Sequence, residues 1–335
     1  MRTPNETSPV NDAGCGGSPS AAGPGEPGSG GEPAGRWNPA RNYPLEVPRP
    51  GEDFNGYVVG KVLGRGGSAT VYLAHQLSAD ERPVALKVLS AGHRTEPRLE
   101  QMYREFDFAR RLRHPHIVEV YERGPDWLTM QYVDGGNAGS LHSLDLRLQA
   151  LAQIAEALDF AHRQGIVHCD VKPANILVHK DFSDGGAVLI DFGVSHSVAE
   201  DMSARLARDA TQRLSLDPAK RITHHRPDGA THVQASLPYA APELLSGRAP
   251  SGATDEYALA CTAVELITGT LPFVTTTAAA LVDAQLHQPP PRMSRTVSWL
   301  PHAFDSIVAK AMAKDADARY QTCSELIRLL TRVLR

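Results

Sequence analysis

The stretch IVHCDVKPANILV, residues 166–178, sets two apolar runs, Ile166-Val167 and Ile176-Leu177-Val178, around a loop that holds His168, Asp170, Lys172 and Asn175. An uncharged Cys169 stands directly before the acid. Upstream, Leu148, Leu151, Ala155, Leu158 and His162 follow helical spacing, and Gly165 is placed to cap that helix. Downstream, ILV (176–178) and AVLI (187–190) read as a strand pair turned by SDGG (183–186), and Asp191-Phe192-Gly193 follows at once. Such a hairpin carries Asn175 at its entrance and Asp191 at its exit, so two oxygen ligands converge on one hard cation such as Mg²⁺. Asp170 is left to orient a hydroxyl nucleophile and take its proton, and Lys172 to neutralise charge on a transferred group. This is equipment for phosphoryl transfer.

Nearer the N-terminus, YVVGKVL (57–63), TVYLAHQ (70–76) and PVALKVL (83–89) are β-branched, partly alternating runs, as in a meandering antiparallel sheet. In the turn LGRGGSATVY (63–72), Gly64, Gly66 and Gly67 let backbone N–H groups approach an anion that side chains would obstruct. That signal is weak alone, because glycine-rich hairpins are common. A helix is expected over residues 96–113, with Met102, Glu105, Ala109 and Leu112 on one face. Glu105 therefore lies inside an apolar stripe and demands a cation, and Lys87 of V-A-L-K (84–87) is the candidate. IVEVYER (117–123) and DWLTMQYV (126–133) read as two more strands. YALACTAVELI (257–267) is apolar almost all round, which suits a helix buried inside a lobe, and Thr322 with Glu325 forms a capping box before LIRLL.

Residues 1–50 carry 9 Gly and 10 Pro, above the ~25–30% that marks low-complexity disorder, so this segment is expected to be an unfolded tail. No run of about 18 apolar residues occurs, which predicts a soluble, cytoplasmic protein without a membrane span. Cys15, Cys169, Cys261 and Cys323 are scattered without metal-ligand spacing, and reduced thiols are expected. A net charge of -4 offers no basic field for nucleic acid.

G-R-G-G-S-A-T-V (64–71), V-A-L-K (84–87), Glu105, H-C-D-V-K-P-A-N (168–175), D-F-G (191–193) and A-P-E (241–243) stand in one order along the chain. In that order the chain resembles the eukaryotic-like, Hanks-type serine/threonine protein kinases, over roughly residues 55–335, and the phosphate loop with DVKPAN looks like the actinobacterial branch. The resemblance implies an α+β, bilobal protein-kinase-like fold: a small antiparallel-sheet N-lobe with one key helix (51–133) and a larger, mainly helical C-lobe (134–335) containing a long activation segment (194–240). It implies ATP and Mg²⁺ as cofactors, with Mn²⁺ as an alternative metal, and protein substrates bearing Ser or Thr. Gly64, Gly66 and Gly67 would cover the phosphates and Lys87, paired with Glu105, would contact them. Asp170 would be the catalytic base, with Lys172 beside it and Asn175 and Asp191 on the metal. Leu63, Val71, Ala85 and Leu177 match the walls around adenine, Met130 the gatekeeper, and Gln131-Tyr132-Val133 the hinge. Asp255 matches the aspartate that begins the central buried helix, and Arg319 the partner of Glu243. Lys172 in D-x-K-x-x-N is the Ser/Thr form of the loop.

The chain also departs from the pattern. Cys169 replaces the arginine that in the family binds a phosphorylated activation-loop residue, so activity is expected not to depend on that switch. Ala69 replaces a glycine of the lid, and Ser236 stands for the threonine that bridges the catalytic aspartate and lysine. Residues 201–234 are charged and lack a sustained apolar period, and a mobile insertion is expected there, with Thr211, Ser215, Thr223 and Thr231 as hydroxyls available for autophosphorylation. Two alternatives are a pseudokinase serving as a binding module and a small-molecule phosphotransferase of the aminoglycoside or choline kinase kind. Retention of Lys87, Glu105, Asp170, Lys172, Asn175 and Asp191 speaks against the first. The A-P-E segment with Arg319 speaks against the second.

Overall fold

The alternation of residues 57–63, 70–76 and 83–89 produces strands because each can turn one row of side chains inward. In the computed structural model they are β2 (Tyr57–Arg65), β3 (Ala69–Gln76) and β4 (Pro83–Leu89), preceded by the short β1 (Asp53–Phe54) and followed by β5 (Val120–Arg123) and β6 (Trp127–Gln131). The structure describes residues 48–77, 82–192 and 236–335, and the backbone alone of 196–197, 213–217, 221–225 and 234–235. The tail expected over 1–50 lies outside these residues except for its last three, as do Gly193, Thr211 and Thr231.

The six strands form one antiparallel sheet in the order β1-β2-β3-β4-β6-β5. β4 is central and has two buried faces. Val84, Leu86 and Val88 pack with Tyr57, Tyr72 and Trp127 on one side, whereas Ala85 and Leu89 share the other with Met102 and Phe106. Those two residues belong to α1 (Glu96–Arg111), whose first turn holds Pro97, a position where the missing N–H has no helical partner to lose. Lys87 lies in the same row as Ala85 and Leu89, which aims it at α1 rather than at solvent.

The rest of the described chain is mainly helical: α2 (Leu144–Arg163), α3 (Phe182–Gly185), α4 (Pro242–Leu245), α5 (Gly252–Thr268), α6 (Ala278–His287), α7 (His302–Ala311) and α8 (Cys323–Leu334). α5 runs through the middle, with Tyr257, Leu259, Ala260, Cys261, Ala263 and Val264 fully buried against α2, α7 and α8. It starts at a reciprocal capping box between Ser251 and Thr254 that the sequence did not advertise. The cap expected at Thr322 forms, its hydroxyl accepting from the Glu325 N–H at 3.1 Å. Gly165 has φ +72°, the left-handed turn that ends α2. A hairpin of β8 (Ile176–Val178) and β9 (Ala187–Leu189) and the short β7 (Ile166–Val167) flank the loop between them.

Three expectations need correction. The strand expected over 117–123 begins only at Val120, because Ile117 and Val118 bond instead to Leu189 in the β8–β9 hairpin. The strand expected over 126–133 ends at Gln131, and the expected tight turn at SDGG is wound into the one-turn helix α3. Between Asp191 and Glu243 the short β10 (His196–Ser197) pairs with β7, and three more strands begin within the segment 201–234 where a mobile insertion is expected. These are β11 (Arg213–Asp217), β12 (Arg221–His225) and β13 (Gln234–Ser236) in an antiparallel meander. RLSLD and RITHH alternate over too few residues to stand out in a charged segment.

Candidate active site

The cation demanded by Glu105 is present. The Lys87 ammonium donates to Glu105 Oε1 and Oε2 at 2.7 and 2.6 Å, and lies 3.5 Å from Asp191 Oδ1. Burial would push the Lys87 ammonium toward neutrality, but the Asp191 and Glu105 carboxylates together hold its pKa above the ordinary value. One charged group thus ties β4 to α1 and to the end of the β8–β9 hairpin.

The loop 168–175 is held from beneath. Asp255, fully buried in the first turn of α5, accepts the backbone N–H groups of His168 at 2.8 Å and Cys169 at 2.7 Å, and lies 2.7 Å from His162 Nε2. These bonds fix Cys169 at φ +67°, a left-handed conformation unfavourable for a residue with a Cβ. His168 accepts the Asp170 N–H on Nδ1 at 3.2 Å, so its proton sits on Nε2 and is donated to the Ile190 carbonyl at 3.0 Å. Its ring meets Phe192 edge-on at 4.8 Å. Asp191, between Ile190 and Phe192, is also left-handed at φ +70°.

Around Asp170 the contacts are short. Lys172 Nζ reaches its Oδ2 at 2.5 Å and Ser236 Oγ at 2.8 Å, the Ser236 N–H donates to its Oδ1 at 3.1 Å, and Asn175 Nδ2 donates to its carbonyl at 2.9 Å and its Oδ2 at 3.1 Å. Asn175 therefore turns its amide nitrogen to Asp170, and Oδ1 is the atom it can offer to a cation.

A cavity of about 680 Å³ opens between these groups, lined by Gly66, Gly67, Val71, Lys87, Glu105, Met130, Lys172, Asp191 and Ser236 among others. Gly64, Gly66 and Gly67 do not have positive φ, and a Cβ added to them would meet nothing closer than the Ala69 carbonyl at 3.5 Å from Gly66. The fold itself does not require glycine at these positions. What their bareness leaves is open backbone over a cavity that holds an ammonium, which suits a phosphate chain. Ala85, Met130 and Val133 form one apolar cluster, against which Val71 and Leu177 pack, and Ala85 faces Met130 across β4 and β6. Gly64 pairs with Val71, Gln131 closes β6, Tyr132 follows it half-buried, and Leu63 is exposed at the mouth of the turn. Leu63, Gly64, Ala85, Gln131, Tyr132, Val133, Leu177, Asp170 and Asn175 do not themselves line the cavity.

Arg98 and Gln101 line it and were missed by sequence reading, although they precede Met102 and Glu105 on the same helical face at steps of three and four. Ser236 contributes a backbone N–H as well as its hydroxyl, which no side-chain motif encodes. Of Ser215 and Thr223 only the backbone is described. Seven residues beyond Ser236, Glu243 forms a buried two-point ion pair with Arg319, 2.8 Å at each contact.

The sequence profile described as "Protein kinase domain" matches residues 57–332. Similar curated proteins include the serine/threonine-protein kinase PknJ of Mycobacterium tuberculosis, 37% identical over 288 residues, which cover 82% of this chain and 45% of that protein. Another is PknF of the same organism, 35% identical over 301 residues, covering 84% and 56%. The chain spans about half the length of these relatives. Among solved structures, the Mycobacterium tuberculosis PknI kinase domain is similar at a TM-score of 0.61 and 28% identity, covering 85% of this chain and 99% of that one.

Proposed function

The chain belongs to the protein kinase domain family, and from that premise we propose that it is an enzyme transferring the γ-phosphoryl group of ATP to Ser and Thr hydroxyls of proteins, its own included. The observation that carries this reading is the contact set of Asp170. Its carboxylate is pinned by Lys172, Asn175 and the Ser236 N–H beside a cavity that also holds Lys87 and Asp191. Asp170 would take up the acceptor hydroxyl and its proton, and Lys172 would balance charge near the transferred group. Bound ATP supplies the phosphoryl group and Mg²⁺ screens its charge. Asn175 Oδ1 and the Asp191 carboxylate would hold the metal, Lys87 the phosphates, and the cluster of Val71, Ala85, Met130 and Leu177 the base, with Gln131 to Val133 along its edge. The catalytic unit would work on the cytoplasmic side, where ATP is supplied.

Activity is also proposed to be independent of an activation-loop phosphate read by the catalytic loop. In support, Cys169 is buried in an apolar cluster with Val167, Leu237, Ala240, Leu244 and Leu245, so its place holds no cation.

The deciding experiment follows labelled phosphate from ATP and Mg²⁺ onto an acceptor protein and onto the chain itself, in wild type and Asp170→Ala. Label on Ser or Thr that disappears in the variant is expected. ATP binding without transfer in the wild type would overturn the enzyme in favour of a binding module. Phosphatase-treated protein is expected to keep its transfer rate, and a strong dependence on a phosphate bound at position 169 would overturn that part of the reading.

A further inference from the structure

Gln285 lies on α6, is not among the residues given a role above, and is fully buried. A side-chain amide in an apolar interior is unfavourable unless its bonds are made, and here they are. Nε2 donates to the Leu237 carbonyl at 3.3 Å and the Pro238 carbonyl at 2.8 Å, while Oε1 accepts the Tyr257 hydroxyl at 2.5 Å. The backbone carbonyl of Gln285 is held in turn by Lys314 Nζ at 2.8 Å, which also reaches Tyr257 Oη at 3.3 Å. The amide therefore has one orientation, set from α5 and from the loop before α8, and uses it to grip two successive carbonyls of the turn at Leu237–Tyr239.

That turn begins at the residue after Ser236, which bonds to both Asp170 and Lys172. α6 already has apolar anchors here, with Leu281, Val282 and Leu286 packed on the cluster that contains Leu237 and Cys169. A leucine or methionine at 285 would fill the space as well. What only the amide adds is direction: two bonds that fix the height of the turn relative to the carboxylate of Asp170. The chain leaving Ser236 starts at a residue bonded to Asp170, so a polypeptide whose hydroxyl is to reach Asp170 would pass beside it, and an error in the height of the turn would become an error in the approach of the acceptor.

We infer that Gln285 is a positioning residue for the protein acceptor, setting the Leu237–Tyr239 turn against which a Ser- or Thr-bearing segment docks. The inference rests on the kinase reading above. Its test compares the full chain with Gln285→Met and Tyr257→Phe, using one acceptor peptide whose phosphorylated residue has been mapped in the wild-type reaction. Gln285→Met keeps the volume and removes the bonds. It is expected to raise KM for the peptide about tenfold, the effect of losing roughly one to two hydrogen bonds, with KM for ATP and the rate of ATP hydrolysis to water in the absence of peptide unchanged. Tyr257→Phe leaves the grip and removes only the hydroxyl that orients it, so a smaller rise of the same constant is expected, and it decides the matter should the methionine variant fail to fold. An unchanged peptide KM, or equal changes in the constants for peptide and ATP, would overturn the positioning role while leaving the kinase reading intact. Absence of transfer in the wild type would overturn both.

Discussion

At φ +67° Cys169 is held in a conformation that costs a residue with a Cβ ~1–2 kcal/mol, and the Asp255 carboxylate is what holds it, through the N–H groups of His168 and Cys169. Asp255→Asn keeps the shape but has one oxygen where two are needed, leaving a buried N–H facing an amide nitrogen. Urea unfolding is expected to show a loss of about 2–4 kcal/mol, with phosphate transfer falling further than stability as the loop relaxes. Lys87 poses the reverse problem. Removing it leaves the Glu105 carboxylate buried beside Asp191 without its cation, so Lys87→Met is expected to destabilise by ~3–5 kcal/mol and to abolish transfer. Lys87→Met/Glu105→Leu should recover most of the stability and none of the activity. A double variant as unstable as the single one would show that the pair is not the source of the loss. This pair was legible in the sequence, because a carboxylate in an apolar stripe is a debt that some cation must cancel. The left-handed residues were not, since nothing local at Cys169 or Asp191 asks for positive φ and the groups that impose it arrive from elsewhere in the chain.

Among the elements, α5 brings two adjacent carboxylates into the core. Asp255 has three donors, whereas Glu256, 1% exposed, has the Tyr320 N–H at 3.0 Å. Burial pushes the Glu256 carboxyl up to about 8; the Tyr320 N–H, Arg319 and Lys310 pull against it and Glu325 adds to it. Its pKa when folded is thus above its ordinary value of 4.5, so between these limits the folded chain binds a proton that the unfolded chain has released. Stability from this group is complete below pH ~4.5 and is lost as pH rises toward about 8. Glu256→Gln, which stays neutral, is expected to gain in Tm over wild type progressively from pH 5 to 8. A Tm difference independent of pH would exclude this source. α5 was recognisable from its apolar run at 257–267, but its first turn, Gly252 to Glu256, has no apolar period of its own, and only the family resemblance placed Asp255 at the start of the helix, where it holds the loop 168–175. The strands at 213–225 escaped for a related reason: their apolar alternation lasts five residues at a time within a segment dominated by charge.

Across the molecule, long-range ion pairs hold parts of the chain that no single element spans. Lys87 binds the sheet and α1 to the end of the β8–β9 hairpin, and Arg319 binds the start of α4 to the segment before α8, seventy-six residues away in sequence. Arg319 also donates to the Ala253 and Ala313 carbonyls, and Glu243 accepts from Thr254, so the pair is fully enclosed by bonds. Burial alone would raise the Glu243 carboxyl, but the Arg319 guanidinium outweighs it and holds the pKa below 4.5. A lowered folded value means that the stabilisation is present above pH ~4.5 and is lost as pH falls through the folded pKa. Arg319→Leu reverses the sign: without its cation the buried carboxyl rises, and the variant is penalised in the range where wild type gains. At pH 7 the variant is expected to be about 3–5 kcal/mol less stable in urea, because an unpaired buried charge is left behind. On acidification the two proteins should converge, since protonating Glu243 removes the benefit from one and the penalty from the other. Arg319→Leu/Glu243→Leu, with neither charge, should lie between them at pH 7 and show the weakest change toward pH 4. A gap between wild type and Arg319→Leu that stays constant with pH would mean that Arg319 acts through packing on Tyr257 and its two carbonyl bonds, and not through the charge of Glu243.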